Sequence, residues 1–369
     1  MQTSRVPRFL ALLAALIVAG YFLGKRFSQP RVFADRSQRP PAAHDTGSAQ
    51  NSAEGRALSP ADLLSQVFDR LRNGGIRPGE LATLRRLLLA ADPHEAMAAI
   101  LSFLGTGRDA RTGEGFAIEK GGGLAGAPTF RVMLLDLFGR IARDAGSEDA
   151  LTFSRALLTR KTSADEWALA LRNVAWAAPE DLAFLAEKMH EMLNYQPWRQ
   201  QPGAGFFEAF DVIVFTRDVT FASELAAMAT SEDDATRRAA AAAMDRLSEM
   251  APLDVMNYLN GHPAEFADRP FLRADYFSKA DLSQPQQRQA VEAYLARPDV
   301  TVAEKDKLLS VFASPGSFVG DTLVTTPVAA DEPPQRAVGL RNAVGDWLNG
   351  NRFPDIAGPL AQLQQRLAE

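Results

Sequence analysis

The chain has 369 residues, 46% hydrophobic and 23% charged, the usage of an ordinary globular protein with room for one to three domains. It contains no cysteine, which excludes disulfides, thiolate metal sites and cysteine nucleophiles. Residues 1–58 carry eight Lys/Arg against three Asp/Glu, and the remainder carries 32 against 42; an acidic body lacks the clustered cations that nucleic acid requires, so no nucleic-acid partner is expected.

A short basic tail, residues 1–8, precedes the apolar run Phe9–Gly24, FLALLAALIVAGYFLG, which Lys25 and Arg26 close. As a helix at about 1.5 Å per residue this run reaches roughly 24 Å, slightly short of a bilayer core of about 30 Å. Val6, Pro7 and a snorkelling Lys25 extend it. A cleaved signal peptide shares the basic start but needs a small-residue exit. Here Tyr21, Phe22 and Leu23 continue the run up to Lys25-Arg26, so residues 9–26 are expected to be an uncleaved single-pass anchor. The cations after the run favour a cytoplasmic body by the positive-inside rule. The signal-like start favours export, and the expectation is a prokaryotic inner membrane contacted through residues 9–24, with a periplasmic body. Residues 27–57, rich in Pro, Ser, Gln and Asn, read as a disordered tether.

From residue 58 the pattern is helix after helix. Ser59-Pro60-Ala61-Asp62 offers a cap, a first-turn proline and an acid, and Leu63, Leu64, Val67 and Leu71 follow at helical spacing until Asn73-Gly74-Gly75. Pro78 opens a second helix, and Asp92-Pro93-His94-Glu95 caps a third. Pro128 opens a helix that is apolar over much of its circumference, and hence central. Ser147 starts another. Ser163-Ala164-Asp165-Glu166 forms a capping box ahead of Trp167, Leu171 and Val174, and Pro179 opens the next helix. A Pro- and Gln-rich break runs from Tyr195 to Gly205. Beyond it, Asp211–Thr216 (DVIVFT) is the one stretch where a strand competes. Further helices follow around Phe221–Met228, 233–250, Phe271, Val291–Leu295, Leu308–Phe312, Leu340–Leu348 and Ile356–Leu367.

In DDATRRAAAAAMDRLSEM, residues 233–250, Asp233–Arg237 and Asp234–Arg238 are i,i+4 pairs, and Ala239–Ala243 admits a close neighbour. This stretch resembles the second helix of a HEAT-type repeat. Helix starts about 33 residues apart, and later ones about 16 apart, match the scale of helical-hairpin repeats. The resemblance implies an all-α fold, an α-solenoid or irregular array of antiparallel helix pairs behind one N-terminal transmembrane helix, in a class that commonly binds proteins.

The Gly-rich stretch 105–128, GTGRDARTGEGFAIEKGGGLAGAP, interrupts this array. It lacks the Gly-Lys-Ser/Thr of a phosphate loop and the acidic spacing of a calcium loop. As a ligand-contacting loop its polar tip would be Arg108, Asp109, Arg111 and Glu114, with Phe116 pinning its middle; as an Ω-loop it would cover a groove between helices, and that reading ranks first. His190-Glu191 begins a zinc motif, but residue 194 is Asn and the second ligand is missing. No metal, cofactor or catalytic residue is expected. Trp198, within the break, is the aromatic expected to be exposed to a partner. The functional expectation is a protein-binding scaffold or adaptor of the cell envelope. The alternatives are a carboxylate-based envelope enzyme, acting on peptidoglycan with loop 105–128 as lid, and a plain structural spacer.

Overall fold

The computed structural model describes residues 58–312, 320–326 and 334–368, all within the second of the two units, Met1–Arg56 and Ala57–Glu369, into which the chain divides. The run Phe9–Gly24, with its flanking tail and tether, lies outside these residues. Among those described, no helix is long and apolar enough to cross a membrane. The described residues are all-α apart from one two-stranded hairpin.

The first helices are α1 (Pro60–Arg72), α2 (Glu80–Ala90) and α3 (Pro93–Gly105). Ser59 caps α1 by accepting from the Asp62 amide, and Asp92 caps α3 by accepting from the amides of His94 and Glu95 at 3.0 and 3.1 Å. Pro78 does not open α2. Gly79, at φ +79°, turns the chain first, a conformation that a side chain would strain. Two other prolines act likewise. Thr129 caps α4 (Phe130–Ala145) one residue after Pro128, and α7 (Leu182–Asn194) starts only after Asp181. Between α4 and α7 lie α5 (Asp149–Leu157), whose amide at Asp149 bonds the Ser147 hydroxyl, and α6 (Ala164–Ala177).

Helix α4 buries almost its whole circumference, as its composition requires: Phe130, Leu134, Leu137 and Phe138 are all inaccessible. Phe130 packs with Phe68 of α1 and Phe103 of α3 in an aromatic triad with centroids 4.9–5.5 Å apart. Gly139 is required here because a Cβ would collide with the Asn173 amide of α6.

The break after α7 folds rather than wanders. It holds the short helices α8 (Gln196–Gln200) and α9 (Ala204–Glu208), joined through Gln201–Gly203. Asp211–Thr216 is not a strand. It lies in α10 (Phe210–Thr216), whose residues Val212, Ile213 and Val214 are fully buried by neighbouring helices, and packing overrides their β-branched preference. Then come α11 (Ala222–Ala229), α12 (Asp234–Met250), α13 (Pro252–Gly261), α14 (Pro270–Phe277), α15 (Pro285–Leu295), α16 (Val302–Phe312), α17 (Pro334–Asn349) and α18 (Ala357–Arg366). In α12 the expected Asp234–Arg238 pair forms at 2.8 Å. Asp233 instead caps the helix through the Thr236 amide, and Arg237 turns to Asp234. Its alanine face is buried at Ala240 and Ala243, as close approach to α11 and α10 requires.

Packing is local in sequence. Most helices touch a chain neighbour or the helix after next: α1 with α3, α4 with α6, α10 with α12, α12 with α14, α13 with α15, α14 with α16, and α16 with α18; α6 with α9 and α7 with α10 pack three along. The C-terminal third carries its own buried ionic centre. Arg273 of α14 grips Glu304 of α16 with both nitrogens at 2.7 and 3.0 Å, and the Tyr294 hydroxyl donates to the same carboxylate at 2.5 Å.

Candidate functional site

Three places draw polar groups together: the Gly-rich loop, a cleft at its base, and a groove on α10 and α12. The loop is ordered from end to end. Residues 110–112 pair with 128–130, through Thr112 N–H to the Pro128 carbonyl and Phe130 N–H to the Ala110 carbonyl at 3.1 and 2.9 Å. Beyond this base, β1 (Ala117–Ile118) and β2 (Leu124–Gly126) form an antiparallel hairpin. Its tip turns at Gly121 and Gly122, both at positive φ. Below the tip, Asp136 of α4 and Arg172 of α6 make a fully buried ion pair, 1% and 0% exposed and 2.5 Å apart. Asp136 also accepts from the Leu124 amide at 3.2 Å, and Arg172 donates to the Gly122 carbonyl at 2.8 Å. Burial pulls the Arg172 guanidinium below its ordinary value, and Asp136 opposes that fall.

The residues singled out in this loop face different ways. Arg108 is exposed and lies over the rings of Phe68 and Phe103, about 5 Å from each centroid. Asp109 accepts from its neighbour's amide and from the Arg131 amide at the start of α4, both at 2.9 Å. Arg111 is exposed in the bridge to Thr129. Glu114 turns inward instead of forming a polar tip, pairing with Arg85 of α2 and accepting from the Ala127 amide. Phe116 is half-buried against the core. Trp198 is half-buried rather than exposed, because α8 folds back so that its ring meets Trp167 edge-on at 5.3 Å. These six residues do not converge on one site.

The cleft, about 530 Å³, lies between the end of α3, the loop base and the starts of α4 and α6. Arg131 crosses its wall, bonding Glu166 at 2.8 Å and the Leu104 carbonyl at 2.7 Å. The capping box is therefore half formed: Ser163 accepts from the Glu166 amide, but the Glu166 carboxylate is drawn to Arg131. Asp165 accepts from the Gly205 amide at 2.9 Å. Burial raises its carboxyl above the ordinary value, the Gly205 hydrogen bond lowers it, and the Glu166 charge adds a further rise.

The groove holds a piece of the chain itself. Residues 320–326 have no helix or strand, yet Leu323 is 0% exposed. Asp211, at the start of α10, accepts from the Val324 and Thr325 amides at 2.6 and 2.8 Å and from the Thr325 hydroxyl at 2.6 Å. Arg246 of α12 pairs with Asp211 at 2.6 Å and also donates to the Thr325 hydroxyl. On the opposite side the hairpin tip closes in. A Cβ on Gly122 would collide with the Leu323 carbonyl and press on Trp176. Beside the segment a cavity of about 260 Å³ is lined by Glu208, Asp211, Arg238, Arg246, Asp321 and Thr322, among others. Burial raises the Glu208 carboxyl, the charge of Asp211 raises it further, and Arg246 opposes both.

Sequence reasoning missed Asp211, Arg246 and segment 320–326. One signal was present for part of the set: Asp211, Asp136 and Arg172 are single charges inside otherwise apolar helical runs, whereas Arg246 sits beside Asp245 and does not stand out. Such charges need a buried partner. Among the described residues, no cluster of His, Asp or Glu is arranged to hold a metal ion. His190 stacks on Phe221 at 4.0 Å, beside Glu224. Comparison of the chain with family models, with curated proteins and with solved structures gives no match in any of the three.

Proposed function

We propose that this chain is a membrane-anchored helical-repeat protein whose body serves as a protein-binding scaffold or adaptor in the cell envelope. Packing of many helices on a chain neighbour or on the helix after next supports an α-solenoid or irregular array of helix pairs related to HEAT-type repeats. The observation that carries the binding reading is the groove on α10 and α12. Its Asp211 carboxylate holds a bent stretch of polypeptide through two main-chain amides, and Arg246 donates to the Thr325 hydroxyl of that stretch. A surface built to satisfy main-chain donors suits a polypeptide partner. The anchor and periplasmic orientation rest on residues 1–57 of the sequence.

A carboxylate enzyme is the second reading, favoured by the desolvated Asp165 in the cleft. The other carboxylates there are committed: Glu166 to Arg131 and Asp109 to the start of α4. That leaves no acid and base free to act as a pair. The test is photo-crosslinking in native cells from position 238, where Arg238 is 75% exposed at the groove. One identified protein captured there, and lost with Asp211→Ala, supports the scaffold. Altered envelope polymer in cells carrying Asp165→Asn, with no protein captured, supports the enzyme.

A further inference from the structure

We infer that the Asp211–Arg246 groove is a recognition site for a bent peptide in which a buried leucine is followed, two residues later, by threonine or serine, and that segment 321–326 is the intramolecular occupant such a partner displaces. The inference rests on the scaffold reading and adds to it the partner's chemistry.

Segment 320–326 is seated as a ligand is seated. Among the described residues it makes no main-chain-to-main-chain hydrogen bond to any helix or strand, and one internal bond, from the Thr322 hydroxyl to the Thr325 carbonyl, closes its bend. Its amides at Val324 and Thr325 are bound by one side chain, Asp211, which is 113 and 114 residues away in sequence. Contacts to main-chain amides accept any sequence in the same bent shape, so they supply affinity without choice. Choice comes from two side chains. Leu323 enters a fully enclosed position, where a shorter residue would leave a void. Thr325 both donates to Asp211 and accepts from Arg246. Serine reproduces both bonds; valine, of the same shape, reproduces neither. The adjoining cavity, which Asp321 and Thr322 help to line, leaves room for larger side chains N-terminal to the leucine in an incoming peptide.

The emptied groove has a chemistry of its own. Without segment 321–326, Asp211 loses three donors and keeps Arg246, and so presents a half-buried carboxylate that seeks N–H and O–H groups. A tethered occupant competes at an effective concentration on the order of millimolar. The groove of the intact chain is therefore closed to weak peptides and open to strong ones.

The test uses the full-length protein in detergent and a fluorescent peptide of residues 320–326. Two forms are titrated: wild type, and a variant whose residues 321–326 are replaced by alternating Gly and Ser. The peptide is expected to bind the replaced variant at least tenfold more tightly than wild type. Leu323→Ala or Thr325→Val in the peptide should each weaken binding tenfold or more, and Thr325→Ser should not. Adding Asp211→Asn to the replaced variant should abolish the difference from wild type. Equal binding to both forms, or binding indifferent to these substitutions, overturns the inference.

Should the replaced variant fail to fold, hydrogen exchange on wild type decides instead. The Val324 and Thr325 amides should exchange at least a hundredfold faster than those of α10 and α12, because the segment leaves without unfolding the array. Exchange at the rate of α10 overturns the inference. A peptide that fails while a partner is still captured from position 238 sinks this inference alone. A peptide that binds as expected while no partner is captured upholds the site and sinks the scaffold reading.

Discussion

Two buried carboxylates do the same job at different depths. Asp136 of α4 and Asp211 of α10 each accept from main-chain amides of a segment crossing the helices, and each is held by an arginine two helices further on, Arg172 or Arg246. At the first, arginine and aspartate are wholly sealed and the crossing segment is a hairpin bonded to itself. At the second, Arg246 keeps 12% of its side-chain surface exposed, a cavity adjoins, and the crossing segment has no main-chain ladder, only a Thr322 hydroxyl bond to its own Thr325 carbonyl and the groove's side chains. The difference separates a structural tie from a binding site. A segment that is part of the fold shares its hydrogen bonds with the fold; one that is an occupant takes them from a prepared surface.

The largest expected effect tests the structural half. Arg172→Leu removes the close partner of Asp136 and leaves it only Arg140 at 3.7 Å and the Leu124 amide, and unfolding in urea should show a loss of about 3–5 kcal/mol. Asp211→Ala should cost far less globally, within about 1–2 kcal/mol, since segment 321–326 can leave and let water reach Arg246. If the two substitutions cost the same, the comparison breaks and both segments belong to the fold. Gly139→Ala sharpens the first half from another side. Its new methyl would occupy the space of the Asn173 amide, which itself bonds Arg172, so a loss of about 1–3 kcal/mol is expected in the same measurement.

The helices of this array were legible in the sequence wherever local chemistry decides them. Ser59, Asp92 and Ser163 each cap the helix that their spacing indicates, and the apolar circumference of α4 marked it as central. Legibility ended where a distant partner intervened. Asp211–Thr216 reads as strand-prone until its burial by other helices is known, and the Glu166 carboxylate obeys Arg131, 35 residues away, rather than its own cap. Pro78, Pro128 and Pro179 marked helix starts only to within a few residues, because a turn or capping residue intervenes in each case. The Gly-rich loop was conspicuous by composition, yet its polar residues scatter. Segment 321–326, DTLVTT, has no periodicity and nothing in its composition to show that a carboxylate more than a hundred residues earlier binds its amides.

A smaller effect isolates the hydroxyl in the groove. Thr325→Val keeps the shape and removes one donor–acceptor group, so global stability should fall by about 0.5–1.5 kcal/mol at most. The loss should appear chiefly as faster exchange of the Val324 and Thr325 amides, with Leu124 in the hairpin unchanged. A matching change at Leu124 would mean that the two crossing segments are one cooperative unit through the contact of Gly122 with Leu323.

The smallest effect is one of pH, and its sign follows from Glu208. Burial, then the charge of Asp211, raise its carboxyl above the reference of 4.5 while Arg246 opposes them. Release of segment 321–326 would open Glu208 to water and return it toward that reference, so the occupied groove binds a proton more tightly than the vacant one. Occupancy is then fullest below pH 4.5 and declines as pH rises through the raised value, where Glu208 ionises beside Asp211. Exchange of the Val324 and Thr325 amides, corrected for its intrinsic pH dependence, should accelerate over that window relative to Leu124. Glu208→Gln should remove the acceleration by fixing a neutral side chain at that position. An unchanged pH profile in Glu208→Gln would assign the titration to another group. A profile of opposite slope would mean that the charge of Glu208 steadies Arg246 more than it repels Asp211, making the carboxylate part of the grip on the segment.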